Sequence, residues 1–423
     1  MAMDQRLGGE LPPEEPVFYN PLDPEDHADP YPQYRRLREE APMLRGPLGY
    51  WVVSRHADIA GVLRDPRFGV GMDEAALFQA TLEGPGAATV AELSRWMLFR
   101  DPPDHTRLRS LVSKAFTPRA LEALRPRIQQ VVDDLIDGFE GREDVDLIAE
   151  LALPLPVTMI SELLGMPVED QGQAREWAEA IAQILDPIVT EEQATRADRA
   201  VRELAAYIAE AVGERRRRPG SDVLSRLIQA RGDGPQGGRL SEAELISTVA
   251  LLFGAGHETT RNLIGNGMLA LLRHPGELER LRREPGLTRS AVEELLRYDS
   301  PVQLMGRGAR EDAVVGGERV AAGEALMLLI GAANRDPAQF PDPDRLDVGC
   351  SDVKMLSFGG GIHFCLGAML ARTEGQIAIG TLLSRVRSLE LATDALQWRS
   401  HITLRGLTAL PVRIGAVATR DRD

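Results

Sequence analysis

The pattern of apolar and polar residues divides the chain into a mixed first part and a largely helical remainder. Apolar residues recur at helical spacing, between proline or glycine pairs, and predict helices at 107–116, 118–139, 154–164, 195–217 and 289–298. Strand signals are few: 49–53 predicts one strand, before a short helix at 57–63, and 318–329 alternates as a strand pair around Ala321-Ala322-Gly323. We therefore expect a mainly α fold with small β-sheets (α+β).

One predicted helix is much longer than the others. Ser241 and Glu244 have the spacing of a capping box, and the helical pattern continues to Arg273, where His274-Pro275 stops it. At about 1.5 Å per residue this helix would be roughly 50 Å long. Its first half is apolar on most sides, as expected of a helix that runs through the middle of a large domain. The glycine-rich stretch 232–238 before it predicts a surface loop, so we expect a single domain over 1–423.

Composition and charge narrow the functional classes. Acidic residues outnumber basic ones, 64 to 49, and the net charge of -15 argues against a surface that mainly contacts nucleic acid. The basic run Arg215–Arg218 falls at the end of a predicted helix, where cations are favoured. Residues 1–16 lack the features of a signal peptide, and no apolar stretch reaches the roughly 20 residues that a bilayer requires. With only two cysteines, Cys350 and Cys365, we expect a cytoplasmic protein with a flexible N-terminus, no disulfide framework and no membrane anchor.

The segment FGGGIHFCLG, from Phe358 to Gly367, places a cysteine shortly after three consecutive glycines. Glycines let a backbone approach a flat partner closely, and Cys365 stands where a helix is predicted to begin, near Leu366. A helix N-terminus lowers the pKa of a thiol and so favours the thiolate that ligates metals. A lone cysteine is more often a small buried hydrophobe, and the residues alone leave that alternative open.

The spacing Phe-x-x-Gly-x-x-x-Cys-x-Gly resembles the cysteine-ligand loop of the cytochrome P-450 superfamily, in its soluble bacterial class. With the motifs described below, the resemblance runs from about Asp101 to Gly367. It implies the P-450 fold, in which a long central helix lies over a haem b group. It also implies that Cys365 is the axial ligand of the haem iron, and that the haem contacts Phe358, Gly359, Gly361 and Gly367.

The long helix contains the hexapeptide AGHETT, Ala255–Thr260. The Thr259 hydroxyl can bond to the carbonyl four residues back and loosen the helix, and an acid beside an alcohol can relay protons. For the hexapeptide alone, polar residues on a solvated helix face are the simpler interpretation. The resemblance implies instead that Ala255 and Gly256 lie against the haem, and that Glu258 and Thr259 are catalytic residues that deliver protons to dioxygen.

Two further sets of residues match the family pattern. Glu294 and Arg297 have the spacing of a same-face helical pair, and the resemblance implies that they form a buried structural network with Arg345 of the Pro343–Leu346 segment. Haem propionates require cations or hydrogen-bond donors; the resemblance assigns that role to His105, Arg109, Arg307 and His363. Cys350 and Met355 depart from the bacterial pattern, which leaves contacts there open.

The resemblance implies a haem-thiolate monooxygenase that oxidises a lipophilic small molecule with O2 and two electrons. We expect those electrons to come from NAD(P)H through a separate ferredoxin and ferredoxin reductase, because the motifs leave no room for a fused reductase. A terpenoid, steroid, macrolide or fatty acid would suit the apolar residues that the resemblance places around the substrate, which are Met97, Leu98, Phe253, Ala255, Val302, Leu304, Met305 and Leu407 with Gly406. The alternatives are a peroxide-driven peroxygenase on the same fold, a non-catalytic haem-thiolate ligand-binding protein, and a helical protein without haem.

Overall fold

The computed structural model describes residues 17–46, 49–71, 84–186, 188–232 and 238–420, with the side chain of Val168 excepted. The predicted flexible segment 1–16 lies outside the described residues, as does most of the predicted loop at 232–238. Among the described residues, no helix combines the length and apolar character that a bilayer crossing demands.

Helices make up most of the described chain, which agrees with the mainly α fold predicted from the sequence. In chain order they are α1 Pro24–Ala28, α2 Tyr31–Glu40, α3 His56–Val62, α4 Ala87–Leu93, α5 Asp104–Ser113, α6 Pro118–Glu122, α7 Arg125–Asp137, α8 Pro154–Leu164, α9 Gln171–Ala182, α10 Glu191–Arg217, α11 Val223–Gln229, α12 Glu242–Arg273, α13 Pro275–Arg283, α14 Thr288–Tyr298, α15 Ile330–Ala333 and α16 Ala368–Arg385.

The strands are short and form small sheets. They are β1 Met43–Arg45, β2 Trp51–Val53, β3 Phe68–Gly69, β4 Asp144–Asp146, β5 Leu304–Ala309, β6 Ala313–Val315, β7 Glu318–Val320, β8 Ala325–Leu329, β9 Leu389–Leu391 and β10 Pro411–Ile414. The largest sheet has the order β1-β2-β8-β5-β3, in which β2 and β8 are parallel, a second has the order β4-β10-β9, and β6 pairs with β7.

The long helix predicted from the capping box is α12, and its bounds match the prediction. The Ser241 hydroxyl accepts a hydrogen bond from the Glu244 amide, while the Glu244 carboxylate accepts one from the Ser241 amide. The helix has 32 residues and is buried along most of its length between α8, α9, α10, α14 and α16. It therefore forms the centre of the main hydrophobic core.

Two predicted elements differ from the structure in more than their bounds. The helix expected at 118–139 is divided into α6 and α7, because Pro126 lies in the first turn of α7, where the missing N–H of proline is tolerated. The strand pair expected around Ala321-Ala322-Gly323 is wrong. Both strands form, but β7 pairs with β6, whereas β8 pairs with β2 and β5 in the largest sheet. The second strand is fully buried, and that burial favours the central position over a hairpin.

Candidate active site

A cavity of about 250 Å³ lies between α12 and the loop that carries Cys365. Ala255 and Thr259 of α12 line one wall, and Phe358, Cys365 and Leu366 line the opposite wall. A second cavity, of about 280 Å³, continues from the first along the same face of α12. The residues common to both are Leu98, Leu251, Ala255, Thr259, Val302, Met305 and His363. The two cavities together form one site, with the cysteine at one end and mainly apolar walls at the other.

The loop before α16 fixes the position of Cys365. The Cys365 amide donates to the Phe358 carbonyl at 3.0 Å, and Gly359 has a φ of 70°, a conformation that favours glycine. The thiol is exposed to the cavity, although protein surrounds it on almost every other side. Burial raises the pKa of the Cys365 thiol, against the lowering effects of the Gly367 and Ala368 amides and of Arg109. The start of the helix therefore does lower the thiol pKa, as predicted, but burial outweighs this effect. A bound metal would be needed to keep Cys365 as a thiolate.

The glycines predicted to contact a cofactor have different surroundings. Gly359 lines the second cavity, and Gly367 lines the first, close to the Cys365 sulfur. Gly361 has a φ of 65°, and a Cβ added there would lie 2.3 Å from the Leu63 carbonyl oxygen, so its role is to accommodate the chain after α3. A Cβ on Gly256 would meet Ile160 of α8 at 2.9 Å; Gly256 lines the first cavity and also permits this helix contact. Neither cavity is lined by Gly361, so its observed role is in packing, and its predicted haem contact stays a prediction.

Cations and unpaired donors gather at one edge of the cavities. Arg307, on β5, lines the second cavity; burial lowers its pKa to about 10, so it stays charged at neutral pH. Arg109 lines the first cavity and donates to the Phe364 carbonyl at 2.7 Å. The rings of His105 and His363 lie 4.2 Å apart, and neither His105 Nδ1 nor His363 Nε2 has a hydrogen-bond partner among the described residues. Buried ring nitrogens without a protein partner can donate hydrogen bonds to the carboxylate groups of a ligand.

His105 is a neutral donor rather than a cation. Burial, the adjacent His363 and Arg109 lower the pKa of His105 to about 4. Asp101, which the sequence did not single out, lies on the other side of His363, at 3.8 Å from its Nε2. It accepts from the Val70 and Gly71 amides and pairs with Arg310. Asp101 thus joins the edge of the site to the end of β3.

The predicted proton-relay residues are adjacent to the cavities. The Thr259 hydroxyl bonds to the Ala255 carbonyl at 3.2 Å, as the sequence predicts. Glu258 lines the second cavity and is only 2% exposed. Its Oε1 lies 3.4 Å from Arg399 Nη2 and 3.8 Å from His401 Nε2. Neither partner was anticipated, because both lie in an irregular segment far along the chain, where no spacing pattern indicates a contact.

The predicted buried network contains Glu294 and Arg297, but the Arg345 side chain is not part of it. Arg297 donates two hydrogen bonds of 2.7 Å to Glu294, and both side chains are buried. Arg297 also donates to the Pro343 and Arg345 carbonyls. The Arg345 side chain itself is 62% exposed and points toward Asp347. Arg345 therefore takes part through its backbone oxygen, and the prediction for its guanidinium is wrong.

The predicted pocket walls are partly observed. Met97, Leu98, Val302, Leu304 and Met305 line the cavities. Phe253 and Leu407 do not: both are fully buried in the core, Phe253 beside the His257 ring and Leu407 with its carbonyl bonded to Arg261. Phe253 is two residues from Ala255 and so lies on the far side of α12. Apolar wall residues of the second cavity that the sequence did not indicate include Val70, Trp96, Phe99, Ala178, Ile181, Leu185, Ala250, Met327 and Leu404.

Comparisons with known proteins identify the family. The family model described as Cytochrome P450 matches residues 69–395. The chain is 43% identical to Cytochrome P450 CYP107DY1 of Priestia megaterium, over 92% of this chain and 97% of that protein. It is 41% identical to Vitamin D(3) 25-hydroxylase of Pseudonocardia autotrophica, over 92% of this chain and 94% of that protein.

A solved structure gives the same result. The crystal structure of P450BioI in complex with an acyl carrier protein ligated to hexadec-9Z-enoic acid is similar to this structure, with a TM-score of 0.84 and 40% identity. The match covers 92% of this chain and 99% of that chain. The family predicted from the cysteine loop is thus confirmed. The chain belongs to the cytochrome P450 family of haem-dependent monooxygenases.

Proposed function

We propose that the chain is one haem domain, which holds haem b in the first cavity with Cys365 as the axial ligand. The observation that carries the proposal is that Cys365 and Thr259 face each other across the same cavity. Arg109, Arg307, His105 and His363 would hold the propionates, because they supply charge and unpaired donors at one edge. When bound, the haem supplies an iron centre at which dioxygen is activated with two electrons.

Residues of α12 and their apolar neighbours would deliver protons to the site and exclude bulk water from it. The Thr259 hydroxyl lies at the boundary of the two cavities, and its bond to the Ala255 carbonyl orients it. Glu258, next to it, is a buried carboxylate that can accept and pass on a proton. The apolar residues Leu251, Val302 and Met305 around them exclude bulk water. Protons would therefore reach the reacting oxygen through side chains, which favours a dioxygen-dependent monooxygenase over a peroxygenase.

The substrate would be a lipophilic small molecule that fills the second cavity. Its walls are mainly apolar, and Trp96, Ile181 and Leu404 give it an aromatic and branched aliphatic lining. One relative is named as a vitamin D(3) hydroxylase, and one structural neighbour holds a long-chain fatty acid on its carrier. Both molecules fall within the steroid-like and fatty-acid classes that suit these walls.

Electrons would come from NAD(P)H through a separate ferredoxin and ferredoxin reductase. A polar cavity lies on the outer side of α16, the helix that follows Cys365, and Arg125, Arg289 and Arg372 line it. Arg372 also lies over the Phe358 ring of the cysteine loop, so this surface is close to the proposed ligand. Glu122, Glu293 and Asp352 line the same cavity, and Glu122 and Glu293 pair with Arg125 and Arg372, so this surface has mixed charge and the choice of a ferredoxin rests on the family resemblance. We also propose a cytoplasmic location, which rests on the low cysteine count.

Isotope labelling tests the proposed function. Myristic acid, testosterone and erythromycin are first titrated into the ferric protein, and the compound that shifts the Soret band most is taken as the probe. The probe is then incubated with NADPH, a plant-type ferredoxin and its reductase under 18O2. We expect a product with one 18O atom. Product formed only with added hydrogen peroxide would indicate a peroxygenase. A Soret shift with neither product nor NADPH consumption above that of the redox partners alone would indicate a ligand-binding protein.

A further inference from the structure

Glu258 is part of a buried cluster of charged side chains behind the second cavity. Arg399 lies 3.4 Å from Glu258 and 3.7 Å from Glu179 of α9. Arg261, one turn along α12, lies 3.8 Å from Glu179. His401 lies between Glu258 and Asp186, which follows α9. We call these six residues the Glu258 cluster; they are Glu179, Asp186, Glu258, Arg261, Arg399 and His401.

The orientation of the His401 ring is fixed by Asp186. His401 Nδ1 lies 3.1 Å from Asp186 Oδ2, while Asp186 Oδ1 accepts from the Ile402 and Thr403 amides. With Nδ1 held in this way, Nε2 faces Glu258 Oε1 at 3.8 Å. That oxygen has no hydrogen-bond partner among the described residues. A small rotation of the Glu258 side chain would bring the two atoms within hydrogen-bonding distance.

His401 also borders a separate polar cavity on the side away from the site. This cavity, of about 30 Å³, is lined by Asp26, His27, Gln33, Arg399 and His401, among others. It has room and polar partners for a water molecule. His27 Nε2 lies 3.2 Å from the His401 carbonyl, which attaches the N-terminal segment to this wall. His401 therefore stands between a polar cavity under residues 17–34 and the carboxylate that lines the substrate cavity.

The charges of the Glu258 cluster favour a protonated His401. Three carboxylates face two guanidinium groups, so the cluster is neutral only when the imidazole carries a proton. Burial acts to lower the pKa of His401, but the hydrogen bond to Asp186 and the Glu258 and Asp186 carboxylates outweigh it and raise the pKa above its usual value. Other groups near the cluster are His257, which burial keeps neutral, Arg175, whose charge acts on Arg261, and the separate Asp299–Arg405 pair.

We propose that His401 passes protons from the polar cavity to Glu258, a role that rests on the monooxygenase function proposed above. Each turnover, R–H + O2 + 2 e⁻ + 2 H⁺ → R–OH + H2O, consumes two protons, and the electrons come from the redox partner. The N–H at His401 Nε2 breaks as a proton moves to Glu258 Oε1, and Glu258 releases it toward Thr259. The cluster is then one proton short, and a proton from the polar cavity, which His401 lines, re-forms the Nε2–H bond. Asp186 acts as the anchor that keeps Nε2 aimed at Glu258.

Histidine NMR tests the link between His401 and Glu258 without substrate or electron partner. The imidazole signals of 15N-histidine-labelled protein are titrated in the ferrous carbon monoxide form, and His401→Asn assigns the signal among the seven histidines. We expect His401 to titrate above its usual pKa, and we expect Glu258→Gln to lower that value by about one pH unit, because a carboxylate about 4 Å away is removed. A normal or low pKa, or one that Glu258→Gln leaves unchanged, overturns the inference.

A second measurement follows proton supply itself. His401→Asn retains an amide that can replace Nδ1 toward Asp186 but has no group that reaches Glu258. With NADPH, a plant-type ferredoxin and its reductase, we expect dioxygen consumption to fall at least about tenfold in this variant. In the wild type, the rate of dioxygen consumption should decline at pH values above the His401 pKa, and this decline should be absent in His401→Asn.

His274→Asn, at the end of α12, is the matched control and should behave as wild type. Equal rates and pH profiles in wild type and His401→Asn contradict the inference. An intact carbon monoxide spectrum in every variant would then leave the haem assignment standing.

Discussion

Glu374 lies on α16, the helix that follows Cys365, and is buried with its Oε2 unpaired among the described residues. Burial raises the pKa of Glu374 from 4.5 to about 8, so the folded protein keeps this carboxyl protonated at neutral pH. The unfolded chain releases the proton near pH 4.5. The stability contribution of this group is therefore complete below pH 4.5 and is lost as pH rises through 8. At about 1.4 kcal/mol per pH unit, roughly 3 kcal/mol is lost at pH 7.

The substitution Glu374→Gln removes this titration and keeps the shape of the side chain. We expect the free energy of unfolding of Glu374→Gln, relative to wild type, to increase by about 1.4 kcal/mol per pH unit between about pH 5 and 8. Urea unfolding of the haem-loaded proteins, followed by circular dichroism at several pH values, measures the difference. Glu214→Gln, whose side chain is 58% exposed, is the control and should show no such slope. A difference that does not change with pH would refute the reasoning.

Two further predictions concern the site and its loop. Thr259→Val keeps the side-chain shape but removes the hydroxyl. We expect the product formed per NADPH consumed to fall by about tenfold, while the carbon monoxide spectrum is unchanged. An unchanged ratio of product to NADPH would count against the proton relay. Gly361→Ala forces a Cβ against the Leu63 carbonyl, whereas Gly141→Ala has the same sign of φ and open space around it. Thermal unfolding should show that Gly361→Ala costs at least about 2 kcal/mol more than Gly141→Ala, and equal costs would contradict the packing role of Gly361.

Local signals in the sequence were sufficient for the elements that define the site. The capping box at Ser241 and the stop at His274 predicted both ends of α12, because a helix terminus depends on a few adjacent residues. The bond from Thr259 to the Ala255 carbonyl was also predictable, since it lies within one helical turn. The family motif around Cys365 then predicted the fold.

Features that depend on distant parts of the chain were not predictable. Alternation in 318–329 indicated two strands but could not indicate their partners, which are β6 for one and β2 and β5 for the other. The resemblance placed Phe253 in the cavity wall, yet the helical rotation directs it into the core. The contacts of Glu258 with Arg399 and His401 join α12 to an irregular segment, and no periodicity reports such contacts.

Haem ligation by Cys365 is tested by the absorption spectrum of the purified, dithionite-reduced protein under carbon monoxide, beside Cys365→Ser. We expect a strongly red-shifted Soret band in the wild type, because a thiolate ligand pushes electron density onto the iron. We expect this band to be lost in Cys365→Ser. A protein without a haem band, or with one that the substitution leaves unchanged, would contradict the assignment of Cys365 and the function built on it.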